Sequence, residues 1–494
     1  MSEMDYKKLL YRKQFLLTSR DIEGLYSWKR HEICNGEKKL YVHPDLDCIE
    51  IEDEHRRLVF LGYIFDWQNQ EYGNDKILGR IFEENEGFDD LLRATFEYSG
   101  RFAAIYEDEG TCRMFHDAGG QREVYYHVGE NGVSCASQLP IMEKFLGVEE
   151  TDDERAIALY RSDAFVRSKK QWVGEETIYK GVKALRPNFY LDILGGDAVR
   201  YWPKEPLESR TLEWASEKGA RMLKGFLKAA YMRNNIMIPV TAGWDSRMLL
   251  AASRDISDEV KYFIIKFPWM DKSHEDIAVP QKLMSRLGKS FEIVESGESV
   301  DEGFKDVFCQ NTAYYRTENL AGIYNVFYKK YPEYMSISSH VSEVIRNYRG
   351  SIKSPSGKVF SMELGYKNGN DYVDKMCQIW IDKNIQFAKE MNIDPFILFY
   401  WEEGLIWEAS HRTETDIAIE EYCPFSCRTL LEIFASVDHS YRNKYTCPLY
   451  KRIMEKLWSQ VVSEPINPSL KNTVKGILVS MDWFYPVKRF MKKL

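Results

Sequence analysis

The stretch Pro239–Ala252, PVTAGWDSRMLLAA, decides how this chain is read. An apolar run, NIMIPV (235–240), ends where Thr241, Ala242 and Gly243 begin, and SRMLLAA follows with helical spacing. Strand, small-residue turn and helix in that order put the turn at the carboxyl end of a strand, where open α/β sheets bind ligands. Ala242 and Gly243 let backbone N–H groups approach an anion closely. Thr241 and Ser246 add hydroxyl donors, and the following helix adds its positive end. Asp245 repels phosphate unless a divalent cation lies between them, so its carboxylate implies Mg²⁺. The same residues also read as a plain helix start with Asp245 or Ser246 as N-cap. The turn has neither the Gly-Lys-Ser/Thr ending of a Walker loop nor the spacing of a dinucleotide fingerprint.

Outward from the turn, strands and helices alternate. TLEWASEKGARMLKGFLKAAYMR (211–233) is an amphipathic helix, VKYFIIKF (260–267) a strand, HEDIAVPQKLMSRLG (274–288) a helix and SFEIVE (290–295) a strand. That alternation predicts an α/β doubly wound sheet, parallel in direction, and from about residue 370 the pattern turns mostly helical. The first part differs. KLYVH, CIEIED, RLVFLGYIF, GRFAAIYED, CRMFHD and EVYYHV are short β-branched and aromatic runs separated by turn residues, with helical spacing in 74–99. They predict a layered α+β domain closing near residue 150, followed by a connecting region with short strands NFYLDI and AVRYW.

Composition narrows the function classes. At 494 residues the chain is long enough for two or three domains, and 44% hydrophobic with 29% charged residues is globular. The formal charge of −9 is spread through mixed-sign stretches without a basic stripe, which argues against a nucleic-acid partner. Nine cysteines at irregular spacing read as reduced thiols; Cys423 and Cys427 lack a second pair to complete a metal site. No stretch approaches 18 uninterrupted apolar residues and the N-terminus lacks a signal-peptide core, so a cytoplasmic protein without a transmembrane segment is expected. The cationic, aromatic end DWFYPVKRFMKKL reads as a packed terminal helix.

TAGWDSR resembles the SGGxDS pyrophosphate loop of ATP pyrophosphatases, in a setting similar to the asparagine synthetase family, which includes β-lactam synthetases and lasso-peptide cyclases. The likeness recurs in order along the chain. Tyr98–Asp108 and Phe115–Tyr126 are similar to the "LxGxFA…D" and "RDxxGxxPLYY" stretches of that family's N-terminal glutaminase-like domain. Ser273–Ala278 with Leu287 and Gly288 resembles "DE…A…LG". Ser339–Tyr348 stands where the family has "GxGADExFxGY", and Pro424-Phe425 where it has "PF".

The resemblance implies an Ntn-hydrolase-like domain with its connecting region over 1–205 and a PP-loop ATP pyrophosphatase domain over 206–494. Glutamine-using members need cysteine at the mature N-terminus. Here Ser2 stands there and the first cysteine is Cys34, so an inactive glutaminase and an amine other than ammonia are implied. The activity implied is ATP-dependent, AMP- and pyrophosphate-forming amide ligation: a small-molecule or peptide carboxylate is adenylated, then coupled to an amine. A natural product or a surface glycan is the kind of product in view. The alternative is a degenerate pseudoenzyme or binding scaffold, which the altered loop and the missing "GADE" glycines favour.

Onto matching positions the resemblance carries ATP and Mg²⁺ as cofactors. Thr241, Ala242, Gly243, Asp245, Ser246 and Arg247 would hold the phosphates. Ile265 and Phe267, with Ile264, would hold adenine, and Asp245 and Glu343 the metal. Arg346 would meet phosphate or pair with an acid on its helix. His340 falls near the base position, with Glu403, Glu402 or Glu408 as its partner acid, and Lys475, with Lys471 as runner-up, would stabilise charge in the second step. A homodimer is an open assembly state.

Overall fold

The computed structural model describes residues 6–25, 27–346 and 354–468. The first part folds as two six-stranded antiparallel sheets stacked face to face. Period-two alternation builds their shared core. Phe15 and Leu17 point inward with Ile33, Leu40 and Val42, against Val59, Leu61, Ala103, Ile105 and Met114 of the second sheet. The alternate residues Leu16, Leu58 and Phe60 pack on the opposite faces. The sheets do not close near residue 150. Val182–Ala184 adds an edge strand to the first sheet, and Phe189–Asp192 with Ala198–Arg200 completes the second. These strands are three or four residues long, too short for alternation to distinguish them from a linker.

The second part holds a five-stranded sheet with every neighbouring pair parallel. Its spatial order is Glu292–Glu295, Lys261–Lys266, Asn235–Pro239, Tyr334–Ile337 and Glu420–Tyr422. The first strand in sequence is therefore central, and successive connections cross to either side of it. The resulting reversal of winding beside Asn235–Pro239 opens a crevice there. The helix Leu212–Arg233 precedes that strand; the Thr211 hydroxyl caps it by accepting from Trp214 N–H. The helices Asp371–Glu390, Leu405–Thr415, Arg428–Ala435 and Pro448–Trp458 are among those that follow in the last part of the chain.

The two parts share buried polar contacts. Asp117, in the HDAGG turn, accepts from the N–H groups of Phe102, Gly119, Gln121 and Arg122, and from the Ser426 hydroxyl just after Pro424-Phe425 at 2.6 Å. Two of the stretches that carry the family resemblance thus meet in one buried carboxylate. Beside it Arg101 forks onto Asp416 at 2.5 and 2.8 Å, and Arg122 and Lys13 complete a cluster with Asp416 and Glu420. Close approach is also built with glycine. A Cβ on Gly225, within the Leu212–Arg233 helix, would press into the Trp67 carbonyl oxygen. Gly225→Ala should therefore cost about 1–3 kcal/mol, read as a shifted denaturation midpoint. An unchanged midpoint would show that helix and carbonyl can part freely.

No helix among the described residues is long and apolar enough to cross a membrane. All nine cysteines are free, and seven of them are buried as packed small hydrophobes are.

Candidate functional site

A cavity of about 490 Å³ opens outside the carboxyl ends of the parallel strands. Three strand exits supply wall: Thr241, Gly243, Asp245 and Ser246 after Asn235–Pro239, then Phe267 and Trp269 after Lys261–Lys266, and Ser338–His340 after Tyr334–Ile337. The helix Leu405–Thr415 closes the back with His411, Arg412 and Glu414.

The turn that opens the sequence argument is tightly wired. Ser246 Oγ accepts from Thr241 N–H at 3.1 Å and lies 2.8 Å from Thr241 Oγ1, which accepts from Gly243 N–H at 3.1 Å. Ala242 N–H donates to Asp276 Oδ1 at 2.9 Å, which gives the SHEDIA segment a role in shaping the turn. Gly243 starts the helix Trp244–Ala252 without a side-chain cap of its own, while its N–H is taken by Thr241 Oγ1.

Asp245 and Glu343 converge on one cation. Arg346 Nη2 lies 2.8 Å from Asp245 Oδ2 and 2.9 Å from Glu343 Oε1, and Ser342 Oγ donates to Asp245 Oδ1 at 2.5 Å. Two carboxylate oxygens aimed at a single positive point are a donor set that suits Mg²⁺, with Arg346 holding that point in this structure. Arg346 is thus an acid-pairing residue here, and its partners include the loop acid as well as the helix neighbour.

Arg247 is placed away from the loop's open face. Its side chain is fully buried, donating to the carbonyls of Glu464 and Pro465 at 2.6 Å each and of Val461 at 3.4 Å, and burial pulls its pKa down to about 10. It anchors the segment that returns over the loop, where Asn467 N–H donates to the Ala242 carbonyl at 2.9 Å. Lys471 and Lys475 lie outside the described residues. Ile264, Ile265 and Phe267 line the cavity as their strand positions require, and Phe267 stacks parallel on Trp269, centroids 6.2 Å apart. Trp269 is 71% exposed, although its neighbours are apolar. The sequence reading passed over it because no periodicity marks a residue after a strand end.

His340 lies in the cavity wall with Nε2 2.9 Å from Arg412 Nη2. Burial, then Arg412 and Arg316, hold its pKa well below the usual imidazole range, so the ring is neutral. The acids proposed beside it separate. Glu403 accepts from Arg186 at 3.1 Å and Gly174 N–H at 3.0 Å, and Glu402 pairs with Arg200 and Trp380. Neither lines the cavity. Both instead tie the connecting region to the helices. Glu408 is nearer, 3.7 Å from His411 Nδ1, while His411 and His340 meet edge to face. Arg316 and Arg412 were missed by the sequence reading. Each faces the cavity while held by an acid, Arg316 by Glu414 at 2.8 and 3.0 Å and Arg412 by Glu421 at 2.8 Å. The run HRTET (411–415), which carries Arg412 and Glu414, looks like a solvated helix face until the helix is packed; Arg316 stands in a loop without a pattern.

Burial, and then the charge of Glu343, push Glu408 up to about 8. Its folded value lies above its ordinary 4.5, so its stabilising contribution is complete below about pH 4.5 and is lost as pH rises towards 8. Wild-type thermal stability should fall from about pH 5 to about pH 9 by more than that of Glu408→Gln, which stays neutral throughout. Parallel profiles would remove the buried proton from the account.

No protein-family model matches the sequence, and no curated protein matches it. Over part of its length the chain matches solved structures at low TM-score and low identity. One is the allosteric regulatory enzyme of purine biosynthesis, at a TM-score of 0.25 and 10% identity, covering 56% of this chain and 66% of that one. Another is glutamine phosphoribosylpyrophosphate amidotransferase from B. subtilis, complexed with ADP and GMP, at a TM-score of 0.25 and 12% identity, covering 64% of this chain and 90% of that one.

Proposed function

We propose that the chain is an ATP-dependent, AMP-forming amide ligase whose reaction takes place in the cavity at the end of the parallel sheet, with residues 1–205 serving as a glutaminase-like domain. What carries this reading is the position of the Thr241–Ser246 turn. It pairs hydroxyls and a carboxylate with an uncapped helix start at the central strand, opening into a cavity backed by Arg316 and Arg412.

In the proposed reaction a substrate carboxylate oxygen attacks the α-phosphorus of ATP, and the bond to pyrophosphate breaks. The helix start and the Thr241 and Ser246 hydroxyls orient the phosphates, and Arg316 and Arg412 supply positive charge along the rear wall. Asp245 and Glu343 would hold Mg²⁺ once Arg346 gives up their shared point, and the ion would neutralise charge on the departing pyrophosphate. Phe267 and Trp269 offer an apolar face for adenine. An amine nitrogen then attacks the acyl carbon, the carbon–oxygen bond to AMP breaks, and the ammonium proton passes to a base. His340 Nε2 is engaged by Arg412, whereas His411 Nε2 is buried in the same wall with no hydrogen-bond partner, so His411 is the better-placed acceptor.

Pyrophosphate release from ATP, assayed with pooled amino, peptide and sugar acids, tests the reading. Acid-dependent release supports it; no release with any acid, in a chain that is folded, sinks it and leaves the binding-scaffold reading.

A further inference from the structure

A second cavity, of about 300 Å³, adjoins the first at Glu343, which lines both. Its walls carry three kinds of chemistry. Leu364, Phe396 and Trp407 are apolar; Arg167, Lys169 and Arg346 are cationic; Glu343, which pairs with Arg346, and Glu363 are acidic. Gln171 also lines it, is only 3% exposed, and has a buried Nε2 with no acceptor. A buried amide donor without a partner is costly unless an acceptor arrives.

The cationic wall is held at a conformational cost. Lys169 and Lys170 both sit in the left-handed region, with φ of 58° and 59°, and Trp407 Nε1 fixes the turn by donating to the Lys169 carbonyl at 2.8 Å. Side chains other than glycine rarely adopt that conformation twice in succession, and such strain concentrates at ligand clamps.

We infer that this second cavity binds the ligase's amine substrate as a separate zwitterion, an α-amino acid or dipeptide with a large apolar side chain. The inference rests on the ligase reading for its role, and on the cavity for its chemistry. The substrate carboxylate meets Lys169, Arg167 and the Gln171 amide, and the side chain lies against Trp407 and Phe396. The ammonium group is left towards the wall shared with the nucleotide cavity, where an acyl-adenylate would be within reach. A molecule lacking any one of these three parts leaves one wall unmatched.

The test is calorimetry on the full chain with L-phenylalanine, 3-phenylpropionate, L-phenylalaninamide and L-alanine, with ATP titrated separately. L-Phenylalanine should bind at least about tenfold more tightly than each truncated analogue. Trp407→Ala should weaken it by a similar factor. Lys169→Gly, which relieves the backbone strain and cannot unfold the turn, should weaken L-phenylalanine while leaving ATP affinity unchanged. If L-phenylalanine, L-tryptophan and L-leucine all fail to bind below about 10 mM while ATP binds, the inference is overturned and the ligase reading stands. Equal affinity for L-phenylalanine and 3-phenylpropionate, or no loss in Lys169→Gly, overturns it as well. Amino-acid binding with the stated selectivity but without ATP binding supports the cavity and removes the ligase.

Discussion

Asp416→Ala is expected to lower the unfolding free energy by about 3–5 kcal/mol, the range for removing one partner of a buried ion pair. Asp416 is 1% exposed and is the acid between Arg101 and Arg122, whose side chains are 2% and 3% exposed. With Lys13 and Glu420 the cluster holds three cations against two acids. Alanine leaves three against one, with the guanidinium fork of Arg101 opposite an empty space. Because Arg101 and Arg122 belong to the antiparallel sheets and Asp416 follows the Leu405–Thr415 helix, the loss also loosens the seam between the two parts. Urea denaturation should show a lower midpoint, and a second transition should emerge as the parts uncouple. A loss below about 1 kcal/mol would mean the charges reach water and the seam is held by other contacts.

Asp245→Ala is expected to reduce acid-dependent pyrophosphate release by about 10²–10³-fold, with the melting temperature nearly unchanged. Asp245 has its side chain about 15% exposed and accepts from Ser342 and Arg346, so it is held in one orientation at the cavity wall. Removal strips the loop of its only carboxylate and takes one acid from Arg346. Arg247→Met should act differently. The residue clamps the carbonyls of Val461, Glu464 and Pro465, so its loss should lower stability before it lowers turnover at saturating ATP. If Asp245→Ala left pyrophosphate release intact, the turn would be a helix start and nothing more.

How far the sequence could be read follows from the length scale of each signal. The 22-residue helix Leu212–Arg233 and the strand–turn–helix at residue 239 were legible because local periodicity and small residues specify them. NFYLDI and AVRYW were legible as strands but were placed in a connecting region instead of the second sheet, whereas Val182–Ala184 and the fifth parallel strand, Glu420–Tyr422, were not legible, since three residues carry no period. Within the site, residues on the turn itself were found by position. Arg247 shows the limit of that method: one step beyond Ser246, helical rotation turns its side chain into the core. Glu403 and Glu408 are five residues apart in one acidic stretch, yet one stabilises Arg186 and the other faces His411. Arg316, Arg412 and Trp269 come together only through tertiary packing, and no local pattern announces them.

Calorimetric titration of the full chain with ATP in the presence of magnesium tests the central claim most directly, with Ser246→Ala and Asp245→Ala as the paired variants. One site per chain is expected, with affinity reduced about tenfold or more in both variants. Absence of binding at millimolar ATP, or binding that both variants leave untouched, would contradict it.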